Sequence, residues 1–134
     1  MPSDTNFAAA FTAASSPDWS ARAEAAHELA RAAHRPDIAE ILLTLLLDRH
    51  DTAVTDATCH ALLNRGDIHG VRLIARAVPA ANPEQHDHIY GVLGRDLLPS
   101  GPVVRFNQLC AEVSRDPDPT ISSGAETLIA WTGH

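Results

Sequence analysis

Three short constellations in this 134-residue chain carry residue types that do chemistry: His27-Glu28, Cys59-His60 and His86-Asp87-His88. Imidazole with carboxylate suits metal binding or proton transfer, and a thiol beside an imidazole suits nucleophilic catalysis. Spacing argues against each. Residues two apart on a helix point roughly 160–200° apart, so His86 and His88 cannot share an ion, and the tripeptide reads as a solvated helix start. Adjacent residues diverge by about 100°, which separates the Cys59 thiol from the His60 ring. His27 recurs as His60, but Glu28 gives way to Ala61, and the next equivalents are Leu93-Gly94. A two-metal centre built from successive His-Glu pairs therefore retains a single pair. The apolar surroundings of His27 and His60 predict packed, hydrogen-bonded rings. The chain has no Gly-rich phosphate loop, Cys-x-x-Cys, His-Glu-x-x-His or nucleophile elbow. No catalytic residue, metal or cofactor is expected.

A polar stripe is the better candidate for function. Glu40 and Thr44, then His69, Arg72 and Arg76, then Arg105, Gln108 and Glu112 recur at helical spacings of three and four, so each group shares one face of its helix. Offsets of 32 and 33 residues bring Glu40, Arg72 and Arg105 onto one surface. That surface is locally basic in a chain of formal net charge -7. Arginine is well suited to holding carboxylates at interfaces, so Glu40, His69, Arg72, Arg76, Arg105 and Gln108 are the expected contacts to another protein. The overall negative charge works against nucleic acid and anionic lipid as partners.

The elements that must position this stripe follow from an internal period. An acid recurs at Asp18, Asp51, Glu84 and Asp118, at spacings of 33, 33 and 34. In three of the four blocks Pro precedes the acid and Ser, Asn or Asp precedes Pro, which predicts an N-cap, Pro at N1 and a first-turn carboxylate. Ala21 matches Val54, His27 matches His60, Leu29 matches Leu62, and Ile121 takes the corresponding place in the fourth block. His34-Arg35-Pro36-Asp37 and Arg65-Gly66-Asp67 then break the first helix of a block and start a second, with Gly66 suited to a left-handed C′ position. In the second helices Ile41, Leu73 and Phe106 form one apolar column and Leu45, Ala77 and Cys110 another.

Helices are thus predicted over about 3–14, 17–33, 37–48, 51–65, 68–78, 83–97, 102–114 and 117–132. The expected fold is all-α, a short α-solenoid of antiparallel helix pairs with about eight helices in one domain, 1–134. Its repeats run about 16–48, 49–81 and 82–115, with a C-terminal capping helix in 116–134 of the same kind as the first helices. Phe7, Phe11 and Trp131 are placed to cover the ends of the stack.

These blocks resemble the HEAT-repeat proteins, in particular the bacterial HEAT-like group with phycobilisome-lyase-type repeats. The resemblance is carried by Asp51, Val54, Ala57, Ala61-Leu62 and Gly66-Asp67, followed by Val71-Arg72-Leu73-Ile74. It is good over about 16–78 and weak afterwards, and it departs at Thr55, where such repeats usually carry Arg. It implies an α-solenoid whose inner, second helices line a surface for a partner, and it fixes no particular function. Compactness, acidity and the missing catalytic set fit a non-enzymatic module that binds another protein on the second-helix face, as a scaffold or as a dedicated inhibitor such as an immunity protein or antitoxin. HEAT-like deoxyhypusine hydroxylases, which need four His-Glu pairs, and HEAT-like DNA glycosylases, which use positive concave surfaces, mark the alternatives: a metal-dependent enzyme or a nucleic-acid binder.

Composition sets the setting. With 45% hydrophobic, 4% aromatic and 20% charged residues the chain can fold without staples, and an aromatic-rich β-sandwich is excluded. Cys59 and Cys110 lie in apolar helical patterns and are expected as buried, reduced thiols. The N-terminal stretch lacks a basic segment and carries Asp4, and the apolar run Ile41–Leu47 is far short of the roughly 20 residues of a membrane helix. A cytoplasmic location is expected. All ten basic residues are arginine, the bias of a GC-rich bacterial genome.

Overall fold

The computed structural model describes residues 3–97 and 102–132, with the side chains of 3–6 left aside. The outermost residues of the expected 1–134 domain and the connection 98–101 lie outside the described residues. The described chain is 82% helical with no strand. Its helices are α1 (Ser3–Ala13), α2 (Trp19–Leu29), α3 (Pro36–Leu46), α4 (Thr52–Arg65), α5 (Ile68–Ala77), α6 (Pro83–Leu97), α7 (Pro102–Val113) and α8 (Pro119–Thr132). Short 3-10 turns, Ala30–Ala32 and Val78–Ala80, extend α2 and α5.

The recurrent acid starts the helices, although at a different position from the one expected. Asp18 and Asp51 are themselves N-caps, accepting hydrogen bonds from Ser20 N (3.1 Å) and Ala53 N (2.8 Å), and Asp118 accepts from Thr120 N (2.9 Å). Ser16-Pro17 and Asp116-Pro117 therefore belong to the preceding turns, and α2 and α8 begin two residues later than predicted. A carboxylate is as good a cap as the hydroxyl or amide before Pro, so the acid displaces it. Only α6 follows the expected pattern. There Asn82 and Gln85 exchange side-chain and backbone hydrogen bonds (2.8 and 2.9 Å), with Pro83 opening the helix and Glu84 in its first turn. Gly66 ends α4 at φ +67°, the left-handed conformation in which a Cβ is disfavoured.

The helices pack in two rows. The first helices α2, α4 and α6 stack on one another, and the second helices α3, α5 and α7 stack beside them. Leu29, Ile38, Leu42, Leu46, Val54, Leu62, Ile74, Ile89 and Leu93 fill the space between, and all the buried apolar residues form one cluster. The folded surface is 6977 Å², against roughly 6,800 Å² expected for this mass.

The ends of the stack differ. α1 covers α2 as expected, with Phe7 buried and Phe11 half-buried. α8 departs from the period. Instead of continuing the first row beyond α6, it packs mainly on α5 and α7. Gly124 permits this close approach, since a Cβ there would lie 1.7 Å from the Ala75 carbonyl oxygen. The bare backbone of α8 thus rests directly on that of α5. Trp131, near the end of α8, reaches α6 by meeting His86 and Tyr90 edge-on, with ring centres 5.7 and 5.4 Å away.

Candidate functional site

Four of the six expected contact residues meet. Glu40 on α3 and His69, Arg72 and Arg76 on α5 line a shallow depression of about 180 Å³, together with His34 from the turn before α3. The stacking of α3 on α5 brings them together, because Glu40 and Arg76 sit on facing sides of neighbouring second helices. Arg76 grips Glu40 with both terminal nitrogens (2.5 and 3.2 Å). That ion pair holds the Glu40 carboxyl below its usual range and raises the Arg76 guanidinium. The rings of His34 and His69 meet edge-on at 6.0 Å.

Arg72 is fixed from the opposite side. Its Nε donates to Asp116 Oδ2 at 2.8 Å, while half of the arginine side chain stays in solvent and only 13% of the Asp116 side chain does. The arginine, helped by the Asp118 backbone N–H, holds the Asp116 carboxyl below its usual range. Asp116 precedes the Asp118 cap of α8, so the shift of that cap is what frees Asp116 to face α5. Arg105 and Gln108 lie exposed on α7 and do not line the depression. Thr44, on the same helix as Glu40, borders a different groove towards α1.

The expected chemistry-bearing residues are dispersed. His27 and His60 are exposed rather than packed, because the helix face they share is the outer face of the first row. His60 Nδ1 pairs with Asp96 Oδ2 at 2.6 Å, and His88 Nδ1 pairs with Asp56 Oδ1 at 2.9 Å, both bridging α4 and α6. His86 turns away from His88, with its Nε2 2.6 Å from the Val78 carbonyl oxygen. Cys59 and Cys110 are buried free thiols; burial drives Cys59 far above the ordinary thiol range and Cys110 up to about 12. Among the described residues no three His, Cys, Asp or Glu side chains gather as a metal-binding group. No family model, curated protein or solved structure matches the chain. No helix among the described residues is long and apolar enough to cross a membrane.

A polar cluster at the other end of α3 was not anticipated. Arg22 on α2 donates through Nε (2.8 Å) and a terminal nitrogen (3.2 Å) to the two oxygens of Asp48, and through its other terminal nitrogen to the Ser16 carbonyl (2.9 Å). Asp48 Oδ1 also accepts from the backbone N–H groups of His50 and Asp51, both at 2.9 Å, and its carbonyl accepts from Gln85 Nε2 at 3.1 Å. Burial pushes the Asp48 carboxyl up, but Arg22 and the two backbone donors outweigh it and hold the group below its ordinary value. The repeat held a clue: the block equivalents of Arg22 are Thr55 and His88. Thr55 takes the same buried place without a counterpart, and its hydroxyl has no hydrogen-bond partner among the described residues.

Proposed function

We propose that this chain is a non-enzymatic interaction module of HEAT-like character, acting in the cytoplasm as a scaffold or dedicated inhibitor and binding another protein on its second-helix face. One observation carries the reading: Arg72 is oriented by Asp116 through Nε alone, and its terminal nitrogens make no hydrogen bond among the described residues. A half-exposed guanidinium held by one nitrogen is a preorganised fork for a partner's carboxylate. His34 and His69 add polar edges beside it, and Arg105 and Gln108 extend the surface along α7. Glu40 and Arg76 satisfy each other and supply shape and register.

The test is capture from native lysate with wild-type bait and with the Arg72→Gln, Arg105→Glu variant, in which glutamine keeps an N–H donor for Asp116, read alongside circular dichroism. Removing one interfacial charge and reversing the other takes away the attraction for a partner's carboxylates, so recovery of the partner is expected to fall at least about thirtyfold with helix content unchanged. Equal recovery by both baits places recognition elsewhere.

A further inference from the structure

Two histidines line the depression between α3 and α5 without serving the fold. His34 and His69 are exposed, their rings meet edge-on at 6.0 Å, and neither makes a hydrogen bond or ion pair among the described residues. One comes from the turn before α3 and the other from the first turn of α5, so the stacking of these helices is what brings the rings together. Imidazole is the side chain that ordinarily changes charge between pH 5 and 8.

The other charges around the rings cancel. Arg76 is taken by Glu40, and Arg72 is held by Asp116. In the turns beside the rings, Arg35 pairs with Asp37 and Arg65 with Asp67. Asp67 stands near His69: its carboxyl is held below the usual range chiefly by Arg65, and the field of His69 adds to the effect. Asp118 contributes a further negative charge, felt by Arg76. Arg31 and Glu28, ahead of His34, pair with each other and line the groove between α1 and α2 instead. Four arginines therefore meet five carboxylates, and the depression carries no net positive charge while both rings are neutral. An anion then finds little attraction beyond the terminal nitrogens of Arg72.

Charging the rings changes this balance. Two imidazolium rings at this separation repel each other and Arg72, and an oxyanion seated among them offsets that repulsion. Anion binding and proton binding thus favour each other, by the same factor in both directions. The depression, about 180 Å³, is of a size for a single acidic group rather than for a helix. We infer that it holds an oxyanion of the partner more tightly as His34 and His69 gain protons, so that recognition on the second-helix face strengthens in mildly acidic conditions. The inference rests on the proposed role of Arg72 and adds a control to it.

The experiment titrates the full chain with sodium sulfate, an oxyanion of constant charge in this range, against chloride at fixed ionic strength, at about pH 5.5 and about pH 8. Imidazole C–H and arginine Nε–H resonances locate the binding. His34, His69 and Arg72 are expected to respond, with an affinity at least about fivefold higher at the lower pH, while His27 on the outer face of the first row does not follow. The variant His34→Gln, His69→Gln keeps neutral N–H donors and should lose the pH dependence but not all binding. Arg72→Gln should weaken binding at both pH values. Circular dichroism confirms that the variants keep their helix content. Equal affinity at both pH values, a pH dependence that survives in the double variant, or shifts centred elsewhere overturns the inference; if Arg72→Gln still weakens sulfate binding in that case, the proposed role of Arg72 stands without it. No response of the depression at either pH overturns both.

Discussion

Arg22 and Asp48, 26 positions apart, form a two-pronged ion pair with less than a tenth of either side chain in solvent. Removing one partner leaves the other charged and buried. Arg22→Met is accordingly expected to destabilise the fold by about 3 kcal/mol or more in urea titrations, and the double variant Arg22→Met, Asp48→Asn, which keeps an uncharged acceptor for the His50 and Asp51 N–H groups, to recover much of that loss. If the double variant is as unstable as the sum of the singles, the pair contributes independently of its mutual attraction.

The same pair sets an acid limit. Asp48 has a lower pKa folded than unfolded, so below about pH 4 the unfolded chain binds the extra proton. Its stabilisation is complete above the unfolded pKa and is lost as the pH falls through the folded value. Urea midpoints measured from pH 6 downwards should drop more steeply in the wild type than in the double variant.

Two helix glycines are expected to respond in opposite directions to alanine. At Gly124 the new Cβ meets the Ala75 carbonyl and forces α8 off α5, a cost of about 1–3 kcal/mol or more. At Gly94 nothing lies within 4 Å, so alanine should stabilise α6 by up to about 1 kcal/mol. Thermal melts of the two variants check both signs.

The period at Asp18, Asp51, Glu84 and Asp118 made the helices legible, because caps and apolar spacing are local properties. It could not show which helix α8 crosses. A glycine in a helical pattern looks the same whether it faces solvent, as with Gly94, or another backbone, as with Gly124. The stripe was likewise legible as a surface and illegible as a network. Glu40 and Arg76 are 36 residues apart, Arg72 and Asp116 44, and only the stacking of rows and the return of α8 decide that they meet. His27 and His60 were misplaced because alanine-rich neighbours look equally apolar on an inner and an outer helix face.

Thr55 offers the simplest gain. Its buried hydroxyl has no hydrogen-bond partner among the described residues, so Thr55→Val, of similar shape, should raise stability by about 1 kcal/mol. A fall in the urea midpoint would show that the hydroxyl is satisfied in solution.

Both thiols should be silent in the native protein. With Cys59 fully buried and Cys110 pushed up to about 12, a disulfide reagent at pH 8 is expected to label neither until the chain opens. Labelling rates measured across urea concentrations should therefore follow unfolding; rapid labelling without urea would show a path to one of the sulfurs.

The contact of α8 with α5 changes what kind of object the repeats make. In a simple array each unit leans only on its neighbours, so the terminal unit can fray or be deleted while the remainder keeps its shape. Here the last helix is laid on the middle one, over the Ala75 backbone. The end of the chain is thereby stitched to its centre, and peeling away the fourth block uncovers α5, the helix that α3, α4 and α7 also pack against. Removing α8 is therefore expected to loosen the middle of the stack as well, so that the described blocks melt together instead of fraying one repeat at a time.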